Sequence, residues 1–158
     1  MVMEQETSAD PILSLIYPLG IVCLLAPAFA GVSIGMAKAS HGICQAAAVK
    51  NDIILTIVPS AFIGVSILYA ALIFFLGRVS GPAADFHKPL TWLAGQIIAG
   101  AGLFWGSIGL GDITAVAAIT AAQQKRFKMA FFLLLIFGEF SGLFSLIIGV
   151  ILTSENKW

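Results

Sequence analysis

The sequence predicts an all-α membrane protein whose four transmembrane helices form two tandem hairpins. Three observations point to it. Of 158 residues, 59% are hydrophobic and 10% charged, against about 25% charged in an ordinary soluble domain. The apolar residues fall in four runs, each close to or above the roughly 20 residues that a helix needs to cross a bilayer. The runs also alternate: the first and third carry small residues at helical spacing, while Ile, Leu, Phe and Val dominate the second and fourth. The formal net charge is zero, which leaves no basic field for nucleic acid.

Residues 1–10 read as a polar tail holding Glu4, Glu6 and Asp10. With no Lys or Arg there, a cleaved secretory signal is not expected. Residues 11–77 form the first hairpin, with spans at about 12–37 and 53–76. Pro11 suits a first helical turn. Pro18 and Pro27 lie inside the first run, which a membrane helix tolerates with a bend. That run can continue as helix to Val49. Residues 78–89, rich in Gly, Pro and charge, read as a loop. Residues 90–153 form the second hairpin, with spans at about 90–122 and 127–152 joined by the polar turn Gln123-Gln124-Lys125-Arg126, and residues 154–158 are a C-terminal tail.

Cys23 and Cys44 fall on one predicted helix, roughly 30 Å apart at the helical rise, so they cannot bond within the chain and read as buried structural thiols. Cytoplasmic connections carry an excess of Lys and Arg. The first and third connections hold Lys38, Lys50, Lys125, Arg126 and Lys128, whereas the second connection and the tails hold Arg78, Lys88 and Lys157. Connections one and three are therefore expected on the cytoplasmic side, with both termini on the far, lumenal side.

The small residues form stripes. In the third helix they are Gly95, Ala99, Gly102, Gly106 and Gly109; in the first, Ala28, Gly31, Gly35, Ala39, Gly42 and Ala46. Glycine inside a helix costs about 1 kcal/mol against alanine, so a regular stripe needs a packing reason, and close helix approach supplies one. Gly31, Gly35, Gly95, Gly102, Gly106 and Gly109 are the expected packing positions on a crowded shared axis. On that reading Gly106→Leu disturbs assembly more than Gly149→Leu. The alternation of small and bulky helices marks a duplicated hairpin. Ile67-Leu68-Tyr69 matches Gly142-Leu143-Phe144 at an offset of 75, which sets Gly64 opposite Glu139.

Glu139 lies near the middle of the fourth run. A charge at that depth costs roughly 2.5 kcal/mol or more and marks a functional site. Leu135, Phe137 and Phe140 desolvate it and disfavour its charged form, so it is expected to rest neutral and to carry a proton reversibly. Ser66 and Ser141 are candidates to hydrogen-bond it. Lys38 and Asp112 read as end-of-helix groups, leaving no cationic partner at matching depth. His41 and His87 read as solvated loop residues, and Gly109-Leu110-Gly111-Asp112 lies inside a span, so it is not a phosphate loop. No metal-ligand spacing, no nucleophile with a base and no cofactor motif is evident; the chain is not expected to be catalytic alone.

These features together resemble the proteolipid subunit c family of vacuolar-type ATPases. The family's I-F-A-E-x-x-G-L-Y pattern is similar to Ile136-Phe137-Gly138-Glu139 followed by Gly142-Leu143-Phe144. Its G-x-G-I-C segment resembles His41-Gly42-Ile43-Cys44; its I-V-P entry, Ile57-Val58-Pro59; its Q-Q-P-R-L-F turn, Gln123-Gln124-Lys125-Arg126-Phe127. Gly138 for Ala, Lys125 for Pro, a shifted Gly111-Asp112 and an unfamiliar second connection with Trp92 mark a diverged member. The resemblance implies a c-ring of homologous c-type subunits in a vacuolar or endomembrane bilayer. It also implies a stator subunit a supplying an Arg, a central-stalk subunit d, and a soluble V1 sector whose ATP hydrolysis turns the ring. Sodium-type relatives add a Thr-Gln pair in helix two and a Gln in helix three; here the corresponding residues are Val65 and Ser66, and Gln96 is too near the other end, so protons are favoured. The readings outside the family are a small proton-coupled exporter and a structural tetraspan protein.

Overall fold

The computed structural model describes residues 11–49, 54–79 and 87–155. The expected tails and the inner parts of the first two connections lie outside the described residues. Four long helices account for nearly all of the rest: α1 (Pro11–Val49), α2 (Ile54–Leu76), α3 (His87–Gln123) and α4 (Lys128–Glu155), with a 3₁₀ turn at Lys125–Phe127 before α4. All four contain segments long and apolar enough to cross a membrane.

The two small-residue helices are the long ones, 39 and 37 residues. At 1.5 Å per residue they run to about 58 and 55 Å, well beyond a hydrocarbon core of about 30 Å. Residues 38–49, which the sequence allows either as a connection or as a continuation of the helix to Val49, are the last turns of α1. Cys44 is exposed and Cys23 half-buried, both free thiols, so the expected burial of Cys44 does not hold: it sits on an outer face of this extended helix.

Close backbone approach fixes the packing. A Cβ at Gly31 would meet the Phe104 backbone, at Gly42 the Ala115 backbone, and at Gly35 the Ser107 carbonyl. Residue numbers rise together along the two helices, so α1 and α3 run parallel, and theirs is the most extensive pairing in the molecule. Gly95 meets Leu152, Gly102 meets Ser145 and Gly106 meets Ser141; α3 and α4 are antiparallel. The first-helix stripe therefore faces α3, while the third-helix stripe faces α4 within the same chain. Gly109 alone among these positions has no atom within 4 Å of its would-be Cβ.

Within the chain, Gly149 is as crowded as Gly106. A Cβ on Gly149 would stand 2.8 Å from Ala99 Cβ and 2.9 Å from Ile73 Cδ1. The reason is that α4 is not bulky all round: Gly142, Ser145, Gly149 and Thr153 form a buried face.

Two apolar clusters stack along the bundle. One gathers Val32, Ala39, Ile63, Leu110, Phe131 and Leu135 near the 3₁₀ turn; the other gathers Leu24, Ala28, Ala70, Ile73, Ala99 and Leu103 toward the far end. Trp92 seals that end, stacked on Tyr17 at 5.4 Å with its Nε1 donating to the Gly77 carbonyl at 2.8 Å.

Candidate functional site

Between the two clusters lies a layer of small and polar residues: Ser66, Ser107, Gly106, Glu139 and Gly142 are all buried. The helical repeat on α4 sets this up. Leu135, Glu139 and Gly142 share its inner face, so the sequence that continues the apolar core on either side turns a carboxyl inward at the seam. Glu139 is only 7% exposed. Its neighbours Phe137 and Phe140, 60% and 44% exposed, lie on the outer surface as an edge-to-face pair with centroids 5.6 Å apart.

Both Glu139 oxygens lack a hydrogen-bond partner among the described residues. Tyr69 of α2 lies beside the carboxyl, near enough to interact with it but outside hydrogen-bond geometry. A Cβ on Gly142 would stand 3.5 Å from the Tyr69 ring and 3.6 Å from Glu139 Oε1; the glycine leaves the space that the two side chains share. A buried carboxylate without donors would be strongly disfavoured.

The expected support from Ser66 and Ser141 does not appear. Ser141 follows Glu139 by two residues, which turns it away, and its hydroxyl donates to the Gly138 carbonyl at 3.1 Å. Ser66 is buried on α2 one turn before Tyr69, and Tyr69 takes the place next to the acid. Tyr69 had a signal in the sequence, the match of Ile67-Leu68-Tyr69 to Gly142-Leu143-Phe144. Gly64, opposite Glu139 in the repeat, has no atom within 4 Å of its would-be Cβ.

Lys38 and Asp112 are not end-of-helix groups. They lie well inside α1 and α3 and form an ion pair, Lys38 Nζ to Asp112 Oδ2 at 2.8 Å. Gly138 packs on Leu110 and Ile113, so the pair stands at nearly the depth of Glu139. A cation does exist at matching depth, but it is committed to Asp112 on another face of α3. Exposed ion pairs contribute about 0–1 kcal/mol in water. Here the alternative is a lone charge at membrane depth, so Lys38→Ala or Asp112→Ala alone is expected to destabilise more than the double substitution. A coupling of about 1 kcal/mol is expected in a double-mutant cycle of thermal unfolding in detergent; strict additivity would remove the pair's energetic role. Among the described residues no cluster of three His, Cys, Asp or Glu could hold a metal.

Two helical hairpins with parallel small-residue helices and one buried carboxyl midway along the last helix define a polytopic membrane proteolipid. No family model matches the chain. Curated relatives do. It is 31% identical over 147 residues to the V-type proton ATPase proteolipid subunit of Dictyostelium discoideum, covering 87% of this chain and 72% of that one. Against V-type proton ATPase subunit c of Candida tropicalis it is 32% identical over 132 residues, 79% of each chain. It is likewise 32% identical over 136 residues to the 16 kDa proteolipid subunit of Chrysotila carterae, covering 80% and 82%. The chain belongs to the V-type proton ATPase proteolipid subunit c family, as a diverged member.

Proposed function

We propose that this chain is a proton-carrying rotor subunit of a V-type ATPase membrane sector, with Glu139 as the group that is reversibly protonated. The observation that carries the reading is one carboxyl, buried midway along α4 with neither oxygen hydrogen-bonded among the described residues. It is stable there as the neutral acid and becomes an anion only where a partner supplies charge or water. Several copies of this chain, or of it with related c-type subunits, would form a ring. An Arg on the stator subunit a would approach α4, and the carboxyl would have to leave its inward position beside Tyr69 to meet it, give up its proton and remain a carboxylate until the next proton arrives. The stalk subunit d and the soluble V1 sector would transmit ATP-driven rotation, acidifying a vacuolar or other endomembrane compartment.

A proton suits the site better than sodium, which needs several oxygen ligands. The hydroxyls of Ser107 and Ser141 donate to carbonyls of their own helices, and Gln96 packs by Gly77 at the far end. With Lys38 inside α1, the orientation rests on Lys50, Lys125, Arg126 and Lys128 against Arg78, Lys88 and Lys157, which still favours cytoplasmic connections one and three.

The test uses the assembled complex in vesicles. A hydrophobic carbodiimide reacts with protonated carboxyls in apolar surroundings. It is expected to label Glu139 alone among the acids, as read by peptide mass spectrometry, and to reduce ATP-driven proton uptake to background in proportion to labelling. Full uptake with Glu139 fully labelled would refute the assignment.

A further inference from the structure

Among the described residues the buried polar side chains are hydroxyls, apart from Glu139 and one amide, Gln96. Gln96 lies on α3 one turn past Trp92 and is 1% exposed. Its Oε1 is buried with no hydrogen-bond partner among the described residues. An amide oxygen taken from water into an apolar interior without a replacement bond is costly, and the large majority of buried polar groups in folded chains have a partner. Turning the amide over does not help. A Cβ on Gly77 would stand 2.9 Å from the Ile73 carbonyl oxygen and 3.2 Å from Gln96 Nε2, so the amide nitrogen faces the carbonyl end of α2. That end is the negative pole of the helix, and a flipped amide would set oxygen against oxygen there.

The donors on either side of Gln96 are committed elsewhere. Trp92 Nε1 donates to the Gly77 carbonyl at 2.8 Å, and the hydroxyl of Thr153 on α4 donates to the Gly149 carbonyl at 2.6 Å. Thr153 is nevertheless close. Its Cβ would stand 3.2 Å from the same Cβ on Gly77, and its Cγ2 3.2 Å from one on Gly95, the residue before Gln96. The two glycines carry no side chain into the space that Gln96 and Thr153 border. Thr153 is fully buried, and a hydroxyl that donates one bond keeps lone pairs to accept others. Where the ends of α2 and α4 meet α3, the side chains therefore offer two acceptors, Gln96 Oε1 and Thr153 Oγ1. A group with two hydrogens to give answers both.

We propose that one internal water molecule binds here, donating to Gln96 Oε1 and to Thr153 Oγ1 and so bridging α3 to α4 beside the end of α2. Internal waters are held in this way, by about two to four bonds to buried polar groups that otherwise lack partners. The site is separate from the carboxyl. Thr153 lies 14 residues past Glu139, about 21 Å along the helix. Between them Gly149 packs on Ala99 and Ile73, which closes the inner face of α4 with apolar atoms. The water pins the far end of the bundle and is no part of the proton's path, so the inference holds independently of the rotor reading.

Hydroxyl-radical labelling of the full chain in detergent, by pulsed radiolysis with peptide mass spectrometry, tests the site. A water held against a buried side chain yields radicals where bulk solvent does not reach. Trp92, 1% exposed and one turn from Gln96, is the reporter; Trp105, 69% exposed, reports bulk solvent, and Phe131, 3% exposed in the other cluster, reports the dry interior. Corrected for intrinsic reactivity, Trp92 is expected to oxidise several-fold faster than Phe131. Gln96→Leu and Thr153→Val each remove one acceptor and keep a side chain of similar bulk. Each is expected to bring Trp92 down to the level of Phe131 with Trp105 unchanged. Thr153→Val, nearly identical in shape to the native residue, carries the test alone if leucine at 96 disturbs the fold. Trp92 as inert as Phe131 in the wild-type chain overturns the site. Oxidation of Trp92 that both variants leave unchanged assigns the label to solvent entering at the helix ends and overturns it equally. A drop in Gln96→Leu but not in Thr153→Val overturns the bridge to α4.

Discussion

Glu139→Gln is expected to reduce ATP-driven proton transport to background while leaving the protomer folded and assembled. The amide has nearly the size of the acid, so the buried seam between the two apolar clusters keeps its packing. Glu139 has no hydrogen-bond partner among the described residues, so the substitution breaks no bond within the chain, and it removes the cost of ever forming a charge at that depth. Stability should therefore be equal to wild type or slightly higher, read as the thermal midpoint of the detergent-purified array. The amide cannot release a proton within the range that transport requires. Nothing replaces the lost function elsewhere, since the equivalent position in the first hairpin is Gly64 and Lys38 and Asp112 are paired on another face. Transport above a tenth of the wild-type rate with normal assembly would sink Glu139 as the carrier. Loss of assembly would instead show that the carboxyl has a structural partner contributed by another copy.

The four helices were legible because membrane burial leaves a simple record: long apolar runs with one anomalous acid. Glu139 stands out by composition alone. Its surroundings do not, because they depend on which face of each helix meets which neighbour. The carboxyl turns inward beside Tyr69, and the flanking phenylalanines, read as its apolar shell, lie on the outer surface instead. Periodicity shows that the glycines of α3 share a stripe but cannot say that most of it meets α4 rather than α1. Lys38 and Asp112 were misplaced for a different reason. Counting residues for a span ended the first helix at 37 although α1 runs on to Val49; Asp112, already inside the span read at 90–122, was taken for an end group because a sequence does not show which residue faces it. The matching segments Ser33–Ser40 and Ser107–Thr114 carried a usable signal: they set Lys38 and Asp112, of opposite charge, at equivalent places in helices that pack at nearly the repeat offset.

Gly35→Leu is expected to prevent the protomer from folding, whereas Gly64→Leu leaves it folded. Both glycines lie inside helices, where a side chain by itself favours the helix by about 1 kcal/mol, so intrinsic propensity predicts that both changes stabilise. Packing reverses the sign at Gly35 only. A Cβ there would run into the Ser107 carbonyl and stand 3.1 Å from Ile63 Cγ2, and Gly111 approaches the Gly35 backbone from the other side. Backbone cannot move aside as a flexible side chain can, and separating α1 from α3 would open the most extensive contact in the molecule. Overpacking in a closed core costs roughly 1–3 kcal/mol even when neighbours can adjust; here three extra carbons beyond Cβ have no space, so the cost should exceed that range. Gly64 meets nothing within 4 Å, and a leucine there extends over the surface of α2. Yield of monodisperse protein and the thermal midpoint in detergent separate the two cases. The decisive comparison is Gly35→Ala against Gly64→Ala, where one methyl group is enough: the first should lower the midpoint by several degrees and the second should not lower it. Equal midpoints would mean that α1 and α3 are not in backbone contact at this level. The register that sets Lys38 beside Asp112 would then fail with it.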